Sequence, residues 1–96
     1  MSPLNKKKLN KLRSKLDKLD SELLKLIKKR SNLVNEVLKV KVYKKEIIDK
    51  KRIKFILKKI KKKSSQIKVD TKITNRIWKN MIWSFIDYEK RNFKKK

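Results

Sequence analysis

LNKLRSKLDKLDSELLKLIKKRSNLVNEVLKVK, residues 9–41, decides the fold. Leu9, Leu12, Leu16, Leu19, Leu23, Leu26, Leu33, Val37 and Val40 recur at alternating steps of three and four, the apolar seam of a long helix in a supercoiled bundle. One seam position breaks the pattern: Arg30 stands where a hydrophobe is due, and Arg13 and Lys41 lie on the adjoining line of the same face. Cations turned toward a core require an anionic partner. These residues as a helix span about 50 Å at 1.5 Å per residue, whereas a compact domain of this length is about 32 Å across. The seam therefore overhangs any core the chain builds alone. Its simplest cover is the same seam of a second copy running antiparallel, and an obligate helical dimer is expected.

Ninety-six residues allow one domain, spanning 1–96, with a core that is marginal unless a partner adds apolar surface. Cysteine and histidine are both absent, which excludes disulfides, thiol nucleophiles, the usual zinc sites and any triad built on His. No metal site is expected. Any catalysis must run on Arg, Lys, Asp and Glu. No apolar run approaches the roughly 20 residues of a membrane span, and residues 1–10 lack the hydrophobic centre of a signal peptide. A cytoplasmic, soluble protein without membrane contact is expected. The net charge of +24 points toward nucleic acid. The bland alternative is coding bias, since Gly and Ala are missing while Lys, Ile and Asn abound. Lysines occur in every segment, but arginine, the residue suited to a bidentate grip on carboxylate, is confined to Arg13, Arg30, Arg52, Arg76 and Arg91.

Along the chain, residues 1–8 read as a frayed lead, with Pro3 before any helix, and the first helix runs to about Lys41. Val42 to Ile48 breaks the seam and reads as a short mobile loop. Asp49 is a candidate N-cap for a second helix with Ile53, Ile56, Leu57 and Ile60 on its apolar face, ending near Ser64 and Ser65. Asp70 caps a third, which turns Ile73, Ile77, Met81, Ile82, Phe85 and Tyr88 inward; residues 94–96 form a basic tail. Trp78, Trp83, Phe85 and Tyr88 read as core and interface filling. The fold class is all-α, three helices per chain with one very long, in an intertwined antiparallel homodimer.

Arg30 and Lys41 are three helical turns apart, so their side chains can converge on one small anion. Arg13 lies about 25 Å further along the axis. Two readings of it stay open: in an antiparallel pair the partner's Arg13 approaches Arg30 and completes a site for a dicarboxylate, or it forms an interface ion pair with Asp17 or Asp20. Glu89 follows Trp78, Ile82 and Phe85 on the apolar stripe of the third helix. Desolvation there disfavours its charged form, and a protonated carboxyl can donate a hydrogen bond. A pair with one of the many lysines is the other reading.

The run Leu12-Arg13-x-x-Leu16-Asp17-x-Leu19-Asp20, then Leu23-Leu24-x-Leu26-Ile27-x-x-Arg30, then Lys41, then Ile48-Asp49-x-x-Arg52, resembles the small all-helical class of chorismate mutase. The resemblance is close through the start of the second helix and looser in the third. It implies a homodimer with two sites, each completed by the other chain, that converts chorismate to prephenate without a cofactor. By the family's motif Arg13 of the second copy and Arg30 would bind the substrate carboxylates, and Lys41 would reach the ether oxygen. Asp49 and Arg52 would shape the wall at the ring hydroxyl, and Glu89 would face the ether oxygen, as a donor whose ionisation lowers activity toward alkaline pH. Two departures make the pocket less polar: Ile53 stands where the family commonly has Glu, and Phe85 where it often has a polar residue. Isochorismate-pyruvate lyases on the same scaffold also tend to be apolar there, which makes that activity the nearest alternative. A basic nucleic-acid binder is the competing class. It leaves Arg30 in the seam and Glu89 on the apolar face unexplained, and the lysines form no single stripe, so no nucleic-acid partner is expected.

Overall fold

The computed structural model describes residues 2–94. Three α-helices follow in order, α1 (Pro3–Val40), α2 (Lys50–Gln66) and α3 (Thr71–Asn92), with a single 3-10 turn at Lys44–Glu46 between the first two. No strand occurs among the described residues, so the chain is all-α as its periodicity predicts.

α1 begins earlier than the sequence suggests. Ser2 caps it, its Oγ accepting from Asn5 N at 3.2 Å and its carbonyl from Lys6 N at 2.9 Å. Pro3 then occupies the first helical position, where a missing N–H costs nothing and a fixed φ favours the helix. The lead from Pro3 to Lys8 is therefore helical rather than frayed; Met1 lies outside the described residues, as do Lys95 and Lys96 of the expected tail.

The chain divides into two compact units at Leu33/Val34. The first is α1 as far as Leu33, and it has no apolar cover of its own: Leu12, Leu16, Leu19, Leu23 and Leu26 are each 55–59% exposed. Fully burying a leucine side chain is worth about 1.5–3 kcal/mol, and roughly half of that is unrealised at each of these positions. The seam predicted from residues 9–41 is thus present and unpartnered within one chain.

The second unit holds the core, in which Leu38, Ile47, Ile82 and Ile86 are buried and Ile53, Ile56, Leu57 and Phe93 pack against them. The segment expected to be a mobile loop contributes to it. Ile47 is buried, and the turn before it is closed on both sides, Tyr43 N donating to Glu46 Oε1 at 3.0 Å and Glu46 N to Tyr43 O at 3.0 Å. Both predicted caps are present: Asp49 Oδ1 accepts from Arg52 N at 3.0 Å and Asp70 Oδ1 from Lys72 N at 2.8 Å. α2 packs on α3, with the Ser64 and Thr74 hydroxyls 2.8 Å apart. On α3 the inward face differs from the expected one. Ile73, Ile77 and Trp83 are all more than half exposed, while Thr74, Trp78, Met81 and Phe85 are half-buried beside Ile82 and Ile86.

α2 ends in a Schellman arrangement, Val69 N donating to Ser64 O at 2.9 Å and Lys68 N to Ser65 O at 3.2 Å. It places Lys68 at a φ of 59°. A chain without glycine puts a Cβ into the left-handed region here, at a cost of about 1–2 kcal/mol. Lys68→Gly is expected to stabilise the protein by about 1 kcal/mol. Calorimetry should show a rise in melting temperature of about 4–8 °C; an unchanged or lower value contradicts the strain assignment.

Candidate active site

Glu89 owes its place to the α3 stripe. Ile82, Ile86 and Glu89 are buried together and Trp78 and Phe85 half-buried beside them, as residues spaced by three and four on one helix face must be. A lone carboxylate in such surroundings is costly. Lys41, the first residue beyond α1, supplies its partner: Nζ donates to Glu89 Oε1 at 3.1 Å, and the two side chains are only 17% and 7% exposed. The ion pairs Lys39–Glu36 and Arg91–Asp87 are local and solvated, of the kind worth about 0–1 kcal/mol. The shielded pair thus joins the two residues singled out for catalysis, which are 48 positions apart.

A second bond ties the same parts of the chain. Tyr88 Oη donates to Asn35 Oδ1 at 2.7 Å in a partly buried setting, so residues 35–41 are held to α3 on both sides of the Tyr88–Glu89 peptide. Tyr88→Phe leaves the Asn35 acceptor without this donor and is expected to cost about 1 kcal/mol. Urea unfolding tests this; an unaltered midpoint would show that the bond contributes nothing.

Beside Lys41 lies a groove of about 530 Å³ lined by Glu46, Ile48, Asp49, Lys50 and Lys51, within the roughly 300–1,000 Å³ range of small-molecule sites. Its two carboxylates are already engaged, Glu46 by the Tyr43 amide and Asp49 by the Arg52 amide. Lys50 and Lys51 form no salt bridge among the described residues. The groove therefore offers unspent positive charge and suits an anionic ligand.

The remaining predicted residues are placed as follows. Arg52 is exposed in the first turn of α2, with its guanidinium carbon 5.3 Å from the Phe55 ring centroid. Ile53 is half-buried against the core, and Phe85 is half-buried on α3. Arg13 and Arg30 belong to the first unit: Arg13 is exposed on α1, and Arg30 is half-buried with Nη1 removed from solvent. The structure thus brings together Lys41 with Glu89 and, along the groove, Lys41 with Asp49. Sequence reasoning missed Glu46, Lys50 and Lys51 as groove residues and the Asn35–Tyr88 bond. Adjacency to the Asp49 cap was the available signal for the two lysines; Glu46 and Asn35 carried none.

No helix among the described residues is long and apolar enough to cross a membrane. A family model described as chorismate mutase type II matches residues 12–90. No curated protein matches the chain, nor does any solved structure.

Proposed function

Since the chain belongs to the chorismate mutase type II family, a family of isomerases, we propose that it rearranges chorismate to prephenate in the cytoplasm, as an antiparallel homodimer with two sites shared between chains. The Lys41–Glu89 pair beside a cationic groove is the observation that carries this reading. The reaction is unimolecular: one C–O ether bond breaks and one C–C bond forms in the same molecule, with no nucleophile and no cofactor. The protein's task is to select the compact conformer and to stabilise negative charge growing on the ether oxygen.

Arg30 and Arg13 of the second copy clamp the two carboxylates and enforce the compact shape. Lys41 serves the ether oxygen. Its ammonium has three donors, so one N–H holds Glu89 while another faces the substrate. Glu89 then either orients Lys41 as an acceptor or, when protonated, donates to the same oxygen. Asp49 and Arg52 form the wall at the ring hydroxyl. The exposed α1 seam supports the dimer, because the same seam of a second copy covers it and carries Arg13 toward Arg30.

Purified protein should consume chorismate, followed by its absorbance, with prephenate as the product, and Arg30→Ala should abolish the loss. Chorismate left intact by folded protein at high concentration would refute the proposal. Ile53 and Phe85 favour a second reading, an isochorismate-pyruvate lyase, because both place apolar groups where the mutase pocket is commonly polar. Salicylate and pyruvate from isochorismate would identify it.

A further inference from the structure

The positive charge is not spread evenly over the helices. α1 carries twelve cations against four acids in 38 residues, and α3 five cations against Asp87 and Glu89 in 22. α2 carries eight lysines and Arg52 with no acid at all in 17 residues. Coding bias accounts for lysine in general but not for this segregation. Ile53, Ile56, Leu57 and Ile60 take the inward side of α2, and every cation of the helix is exposed. None of them forms a salt bridge among the described residues. Like charges at i,i+4, such as Lys54 with Lys58 and Lys58 with Lys62, destabilise a helix by roughly 0.2–0.5 kcal/mol per pair. The ridge is therefore a standing cost in the free protein, one that a polyanion relieves.

The outer line of α2 is also where a large aromatic side chain faces water. Phe55 is 53% exposed, with Arg52 5.3 Å and Lys59 5.7 Å from its ring centroid. We propose that the outer face of α2 is a binding ridge for single-stranded nucleic acid, with Lys51, Lys58, Lys59 and Lys62 along the phosphates and Phe55 as a stacking platform for a base. The helix is about 25 Å long, and the row from Lys51 to Lys62 covers about 16 Å of it, a line of positive charge that a strand's backbone can follow. An aromatic ring amid cations is the arrangement that holds an unpaired base without reading sequence. An anionic membrane surface fits less well. An interfacial helix buries its apolar face in lipid, and the apolar face of α2 is packed on the core. The ridge borders the candidate active-site groove, with which it shares Lys51, but its test reads nucleic-acid binding and does not depend on turnover of chorismate.

The test is fluorescence anisotropy with a labelled oligothymidylate of about 20 nucleotides, long enough to span the ridge. Lys58→Gln/Lys59→Gln/Lys62→Gln is compared with Lys7→Gln/Lys8→Gln/Lys11→Gln, which removes the same net charge from α1. Glutamine keeps helix propensity in both, and circular dichroism checks that helix content is retained. The α2 triple variant should bind at least about tenfold more weakly and lose about 2 from its salt slope, the α1 control should bind within about threefold of wild type, and Phe55→Ala should weaken binding about tenfold. Equal losses in the two triple variants would show that net charge alone binds and would overturn the ridge. So would an undiminished affinity of Phe55→Ala, or binding of phosphatidylserine vesicles in preference to the oligonucleotide at equal phosphate.

Discussion

Arg13→Ala and Arg30→Ala are each expected to be inactive alone and to regain activity when their chains are unfolded together and refolded. Seventeen residues of helix separate the two arginines, about 25 Å, so one chain cannot bring both to a small dicarboxylate. In the proposed antiparallel pair each site would take Arg30 from one chain and Arg13 from the other. A mixed dimer then has one site with both arginines and one with neither. Random reassortment makes half the dimers mixed, so about a quarter of wild-type activity should return, from homodimers each reduced at least about a hundredfold. Mixed dimers that form without recovering activity would refute the shared site.

Lys41→Ala should lower kcat by about a hundred- to a thousandfold, the range for removing one preorganised charge-stabilising donor. Glu89→Ala should approach that loss, because it removes the group that holds Nζ at 3.1 Å. Glu89→Gln should stay within about tenfold of wild type: its amide oxygen accepts from Lys41, and its NH₂ donates without titrating. Folded Glu89→Gln as inactive as Lys41→Ala would mean that the carboxylate charge itself is required, and the roles given to the pair would fall.

Local signals in the sequence were legible where the physics is local. The seam of α1, the caps at Asp49 and Asp70 and the apolar face of α2 all follow from spacing and from which side chains accept hydrogen bonds. Pro3 was misleading because the same ring that breaks a helix interior suits its first position. Ile47 looked like part of a loop because its burial depends on Leu38, Ile82 and Ile86, which no neighbour in sequence reveals. Ile73 and Ile77 have the right period but stand on the exposed side of α3 within the chain. Lys41 and Glu89 could each be singled out from their positions, but their contact across 48 residues is a product of tertiary packing. The segregation of charge onto α2 was present in the composition and became visible only once the helix boundaries were known.

The proposed dimer rests on the apolar seam of α1, left exposed within one chain, and sedimentation velocity across a wide concentration range tests it most directly. It predicts one species of twice the 11.7 kDa chain mass, carrying all of the chorismate-converting activity. A folded species of one chain mass that turns over chorismate would contradict it.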